Sequence, residues 1–250
     1  MGFGAVFDNK PVGLSLIKLD HLLNRAHLFH FVISHEEYKI DIIQSLLEKT
    51  ESSLKERSLV LFEVTITISE MVKEVRELFS QYGWGKSPQI TRKYIVDIQG
   101  IQNNEWVWQL NQPDKLRVVQ WSSAEEDSID QLILNNNCWF PSVFSPNYES
   151  DYIDSEYSFA LYADGELAGW IICEKVAINM LLCKNVYVKK SSDTRLGGIL
   201  LMATLIKQIE EKNMFVTFFV EENNISMENI IRRRLEKGII QEINLLSFIK

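Results

Sequence analysis

The chain has 250 residues, 46% of them hydrophobic, so it can bury a sizeable core. Its 34 acidic residues outnumber 26 basic ones for a formal charge of −8, which argues against a nucleic-acid binder and agrees with a cationic amine as partner. No stretch approaches the roughly 20 apolar residues of a membrane span, and Cys138, Cys173 and Cys183 have neither metal nor disulfide spacing, which points to a reducing cytoplasm.

In chain order, Met1-Gly2-Phe3 leads straight into a strand, so no signal peptide is read there. Asp8-Asn9-Lys10-Pro11-Val12-Gly13-Leu14 turns that strand into a second one, and Phe31-Val32-Ile33 ends a third. His27 and His30 lie three apart on it and therefore face opposite sides, which does not make a metal site. Val60, Phe62 and Val64 mark another strand, and a helix over 70–79 stops at Tyr82-Gly83. The chain changes segment around Gln112-Pro113-Asp114. A strand follows at Leu116–Trp121, then a capped helix start at Ser122-Ser123-Ala124-Glu125, with Glu126 three or four residues on. An aromatic, turn-rich segment holds Cys138-Trp139-Phe140-Pro141 and Phe144-Ser145-Pro146-Asn147-Tyr148. Asp164-Gly165, between the apolar runs 158–163 and 167–172, is a strong hairpin signal.

The next strand runs from Met180 to Val188, and its loop leads to Arg195-Leu196-Gly197-Gly198-Ile199. Paired glycines allow a ligand to approach the backbone. The free N–H groups opening the helix suit a phosphate or pyrophosphate, and Arg195 adds a cation. Ile199, Met202, Ala203, Ile206 and Ile209 recur at helical spacing up to Lys212-Asn213. Met214–Val220 is almost continuously apolar, as in a buried strand. Ser226 caps a helix with the basic run Arg232-Arg233-Arg234, which stops at Lys237-Gly238, and Ile239–Ile249 supplies a final strand or two.

Several of these signals repeat at an offset of 156 residues. Gly13 matches Gly169, and Val60, Phe62 and Val64 match Val216, Phe218 and Val220. The repeat predicts two related halves, 1–112 and 113–250.

From Leu116 onward, this order of hairpin, strand, glycine turn, helix, strand, helix and strand resembles the GNAT superfamily of acyl-CoA-dependent N-acyltransferases. Arg195-Leu196-Gly197-Gly198-Ile199-Leu200 keeps the Arg and central Gly of that family's pyrophosphate turn and has Leu200 where the family has a small residue. The resemblance implies an α/β fold of the α+β, mixed-sheet kind: two tandem GNAT-like domains, each a mixed, mostly antiparallel sheet flanked by helices. The first half lacks room for the family's first strand and helices. Its turn region, residues 34–42, has no glycine and carries Glu36, Glu37 and Asp41, which would repel a pyrophosphate. The second half is then the one that binds cofactor, and Ile42→Asp is expected to leave cofactor affinity intact.

By the same resemblance the cofactor is acetyl-CoA or a longer acyl-CoA. It is held by Val186 and Val188 on the strand, by Arg195, Leu196, Gly197, Gly198 and Ile199 at the turn, and by Asn224 beyond the next strand. The family's usual carboxylate on Met180–Asn185 and its tyrosine on the last helix are both missing. Glu221, Glu222 and Tyr187 are the catalytic candidates, with Glu174 on the hairpin beside them. No metal is expected. The implied reaction transfers an acyl group, acetyl or longer and including fatty acyl, to an amine of a small molecule or peptide, without nucleic acid or membrane span. The alternative is a non-catalytic acyl-CoA-binding module or partner subunit of a biosynthetic complex.

Overall fold

The computed structural model describes residues 1–21, 24–34, 37–68, 72–84, 89–135, 137–147, 152–191, 193–209 and 213–249. In chain order the elements are β1 (Gly2–Phe7), β2 (Lys10–Asp20), β3 (Arg25–Ile33), α1 (Lys39–Glu56), β4 (Val60–Ile68), α2 (Val72–Gln81), β5 (Gln89–Asp97), α3 (Ile98–Gln102), α4 (Glu105–Trp108), β6 (Leu116–Gln120), α5 (Ser123–Leu134), β7 (Phe159–Ala163), β8 (Glu166–Ala177), β9 (Met180–Val188), α6 (Gly197–Gln208), β10 (Phe215–Glu221), α7 (Ile225–Ile230) and β11 (Ile239–Ile249). His35, Glu36, Glu70, Tyr148 and Lys212 lie outside the described residues.

The chain divides into two compact units. Unit 1 comprises Met1–Lys93, Val220–Asn224 and Ile243–Lys250, and unit 2 comprises Tyr94–Phe219 and Ile225–Glu242. Residues 94–112 therefore pack with unit 2.

In unit 1, β1 and β2 pair antiparallel, β2 and β3 antiparallel, and β3 and β4 parallel. The last strand returns antiparallel to β4, with Asn244 opposite Ile68 and Ile249 opposite Glu63. Both residues of the first hairpin turn, Asp8 and Asn9, have positive φ (49° and 62°), the backbone that a two-residue turn needs to match strand twist. Ile43, Leu46, Leu47, Thr50 and Leu54 form the buried stripe of α1. The core closes on Phe79, whose ring stacks 4.3 Å from that of Phe248. His27 sits on β3 with Nε2 3.0 Å from Thr65 Oγ1 and 3.8 Å from Glu63.

Unit 2 repeats this pattern. β7 and β8 pair antiparallel, β8 and β9 antiparallel, and β9 and β10 parallel, while β6 adds antiparallel to β7. Asp164 and Gly165 again both have positive φ (50° and 86°). Each unit is thus a mixed, mostly antiparallel sheet flanked by helices. The capping acid of α5 is Glu125 rather than Glu126: its Oε2 accepts from the Ser122 N–H at 2.9 Å and from the Ser122 hydroxyl. The helix after β10 begins at Ile225, directly after Asn224, so Ser226 lies inside it. That helix passes through a π-helical turn at Ile231–Leu235 and a short 3₁₀ turn before Ile239. Among the described residues no helix is long and apolar enough to cross a membrane.

Candidate cofactor and acyl-transfer site

The turn ahead of α6 is fixed by its own side chains. The N–H of Ser191 donates to Thr194 Oγ1 at 3.1 Å, and the N–H of Thr194 donates back to Ser191 Oγ at 3.2 Å. The buried Thr194 hydroxyl also donates to the Lys189 carbonyl, and the Lys189 N–H returns to the Ala168 carbonyl at 2.8 Å. The loop is therefore tied to β8 before the helix starts. A serine and a threonine three residues apart carry this arrangement in the sequence.

The two glycines have different jobs. A Cβ on Gly197 would collide with Leu161 Cδ2 and lie 3.0 Å from Val188 Cγ1, so Gly197 lets α6 sit down on β7 and β9. A Cβ on Gly198 would meet nothing within 4 Å. The open side of the turn therefore lies at Gly198. The Gly197 N–H is taken by the Thr194 carbonyl at 2.8 Å. Gly198 and Ile199 occupy helix positions whose N–H has no intrahelical acceptor, and the preceding Leu196 offers no side-chain cap. Arg195 is exposed beside them. Two uncapped amides, the helix dipole and the neighbouring Arg195 are the chemistry that an anion needs. The residues present thus fit a pyrophosphate.

The strand leading to this turn separates from its parallel neighbour. β9 and β10 are in register only at Met180 with Phe215, Leu181 with Val216 and Leu182 with Thr217. β9 then runs six residues further, to Val188, bonded on its other side to β8, where Asn185, Val186, Tyr187 and Val188 oppose Ile172, Ile171, Trp170 and Gly169. Gly169 permits this close approach, since a Cβ there would lie 2.6 Å from the Tyr187 carbonyl oxygen.

Tyr187 belongs to an aromatic cluster. Its ring stacks on Trp139 at 5.9 Å and on Phe144 at 5.2 Å, and its hydroxyl donates to the Trp139 carbonyl at 3.5 Å. Trp170, beneath them, is wholly buried and donates from Nε1 to the Phe144 carbonyl at 3.1 Å. Beside this cluster a cavity of about 640 Å³ is lined by Asp127, Gln131, Trp139, Tyr162, Glu166 and Lys189 among others. Glu174 is held by Lys184 at 3.1 Å, both largely buried.

The structure thus brings Val186, Tyr187, Val188 and the stretch Arg195–Ile199 together in unit 2. Glu221, Glu222 and Asn224 fall in the segment counted with unit 1. There the Glu222 N–H donates to the Ile90 carbonyl at 3.0 Å, its carboxylate lies 3.9 Å from Arg92, and the Asn224 N–H donates to the Glu221 carbonyl at 2.9 Å. Cys173 and Cys183 are free but directly opposite each other across β8 and β9. Burial and the neighbouring Cys183, whose hydrogen bond is the larger cause, hold the Cys173 thiol protonated. Two cysteines ten residues apart gave no sign of that pairing, because a bulge sets their register.

No family model and no curated protein matches this sequence. Solved structures do match its fold. A tandem GNAT protein from the clavulanic acid biosynthesis pathway superposes with a TM-score of 0.63 at 12% identity, covering 100% of this chain and 82% of that one. A GCN5-related N-acetyltransferase from Sphaerobacter thermophilus gives 0.64 at 13% identity, covering 97% and 78%. Another from Kribbella flavida gives 0.61 at 12% identity, covering 95% and 86%. The fold is that of tandem GNAT proteins.

Proposed function

We propose that this protein is an N-acyltransferase that moves an acyl group, acetyl or longer, from acyl-CoA to an amine of a small molecule or peptide, with unit 2 holding the cofactor. The observation that carries the reading is the parting of β9 from β10 after Leu182 and Thr217, immediately before a turn with uncapped amides and open space at Gly198. The amides of Gly198 and Ile199 and the Arg195 guanidinium would hold the pyrophosphate. The unpaired edge of β9 from Asn185 to Val188 would bond an extended amide chain as an added strand does. When bound, the cofactor supplies the thioester. The chain supplies position, and a β9 N–H facing the gap supplies a donor for the oxyanion.

One observation favours the second reading, a non-catalytic acyl-CoA-binding or partner module. The Tyr187 hydroxyl is engaged by a carbonyl and Glu174 by a lysine, so neither is free for acid–base work. Calorimetric titration with CoA, acetyl-CoA and a long-chain acyl-CoA tests the assignment. Binding near micromolar, about −8 kcal/mol, that is lost in Gly198→Glu is the expected result. Absence of binding to all three overturns it. Turnover with an amine panel then separates enzyme from module.

A further inference from the structure

Asn185 carries a polar group without a partner. It lies on β9, where Asn185 and Tyr187 point to one face of the sheet, while the bulge ahead of them turns Cys183 to the other, and it stands opposite Ile172 and next to the Trp170–Tyr187 pair. The residue is 8% exposed, and its Oδ1 is buried with no hydrogen-bond partner among the described residues. Leaving such an oxygen orphaned costs about 1–3 kcal/mol, whereas an apolar side chain of the same shape would cost little. A carboxamide oxygen only accepts, so the missing partner is a donor. Ser145 Oγ, next to Phe144, is orphaned as well, so this face is short of polar partners from the chain.

The position is informative. Asn185 comes three residues after Leu182, the last residue of β9 paired with β10. Strand side chains stand perpendicular to the sheet, so Asn185 leaves the in-plane edge of β9 free and addresses whatever approaches from the face. That face carries Trp139, Phe144 and Tyr187, with ring centroids 5.2 to 5.9 Å apart at the two stacked pairs. Phe144 is 39% exposed, so the cluster opens to solvent there. The Lys189 ammonium already sits 5.8 Å from the centre of the Trp139 ring. A cation in that place disfavours a second one over the same ring.

We propose that Asn185 is a specificity-determining residue whose Oδ1 accepts an N–H from the acyl acceptor, and that this acceptor is an uncharged aromatic amine stacked against Trp139, Phe144 and Tyr187. The inference rests on the acyltransferase reading. In the transfer, the amine nitrogen forms a bond to the acyl carbonyl carbon and the carbon–sulfur bond breaks. The electron pair leaves on the sulfur of CoA, and the proton shed by nitrogen passes through solvent to that sulfur. A carboxamide does not take up that proton, so an acceptor already neutral at pH 7 suits the site, as an aromatic amine is.

The test is equilibrium binding to the full chain, followed by calorimetry and by tryptophan fluorescence. The probes are 4-ethylaniline, the donor-free 4-ethylanisole and the cationic benzylamine, with CoA titrated in parallel. The wild type is expected to bind 4-ethylaniline about tenfold more tightly than the other two. Asn185→Leu should abolish that preference, weaken amine binding far more than CoA binding and raise Tm, because the orphaned oxygen is gone. Asn185→Asp, which keeps the shape, should turn the preference toward benzylamine and serves if the Leu variant does not fold. Unchanged 4-ethylaniline binding in both variants, or no amine binding by the wild type, overturns the inference. So does an equal loss of CoA and amine affinity, which would make the cofactor amide the partner. No CoA binding by a wild type whose amine binding still depends on Asn185 overturns the acyltransferase reading and leaves the amine site standing.

Discussion

Leu161 Cδ2 occupies the space that a side chain on Gly197 would need, while nothing lies within 4 Å of the corresponding point at Gly198. Adjacent glycines in one turn therefore answer to different constraints, the first to packing of α6 on the sheet and the second to whatever enters from outside. Gly197→Ala overpacks a buried contact and should cost about 1–3 kcal/mol. For a chain of this size that is a fall in Tm of about 2–4 °C per kcal/mol. Gly198→Ala meets no obstacle and should be neutral or stabilising by up to about 1 kcal/mol. Thermal melts of the two variants check this. A larger loss for Gly198→Ala would reverse the assignment.

The loop that presents those glycines depends on Thr194, which is buried and bonded to both Ser191 and Lys189. Thr194→Val keeps its shape and leaves the Ser191 N–H without its acceptor. The expected cost is about 1–3 kcal/mol in urea unfolding, with CoA affinity weakened more than stability alone predicts, because the turn loses its tether to β8. Unaltered CoA affinity in a folded Thr194→Val would mean that the turn is held by the packing of α6 alone.

Both hairpins, the repeat and the glycine turn were legible in the sequence because each is encoded within a few residues. Asp8-Asn9 and Asp164-Gly165 take positive φ at both positions, as their residue types announce. What could not be read depends on partners far along the chain. β5 at Gln89–Asp97 follows the turn residues Gly83, Gly85 and Pro88, but the polar and charged Gln89, Thr91, Arg92 and Lys93 obscure it as a strand. The pairing of Asn244 with Ile68 joins segments some 176 residues apart. The separation of β9 from β10 is a property of register, and so are the facing of Cys173 by Cys183 and the isolation of Asn185 Oδ1. Tyr187 stands out in the sequence as a catalytic candidate, but its stacking on Trp139 and Phe144 needs the loop at 138–145 to be laid over β9.

Tyr162 gives the fold a pH dependence. Its hydroxyl donates to Glu125 Oε1 at 3.0 Å, and burial, followed by that hydrogen bond, raises the phenol above its ordinary value of 10.0. The folded state therefore holds the phenolic proton more tightly than the unfolded chain does. The resulting stability is fully present below about pH 10 and is lost as pH rises through the raised value. Tyr162→Phe should be less stable than the wild type by about 1–2 kcal/mol at pH 7, and the difference should shrink as pH rises beyond the phenol's ordinary value of 10.0. Urea unfolding of both proteins across that window checks it, and a gap that is constant with pH would show that the hydroxyl does not titrate with folding.

Ile42 stands 156 residues before Gly198, at the equivalent point of the first repeat, yet its surroundings are of another kind. It is 8% exposed, and its Cγ2 lies 2.7 Å from where a Cβ on Gly13 would stand, so α1 is pressed onto β2 where α6 leaves an opening. No anion could approach the backbone there without displacing the side chain. Ile42→Asp removes about 1.5–3 kcal/mol of apolar burial and adds the cost of placing a carboxylate in the core. Unit 1 should therefore be destabilised by about 3–5 kcal/mol. If only the second repeat holds cofactor, CoA titrated into the folded fraction of Ile42→Asp binds with wild-type affinity. A loss of affinity in protein that is still folded would assign the cofactor to the first repeat instead.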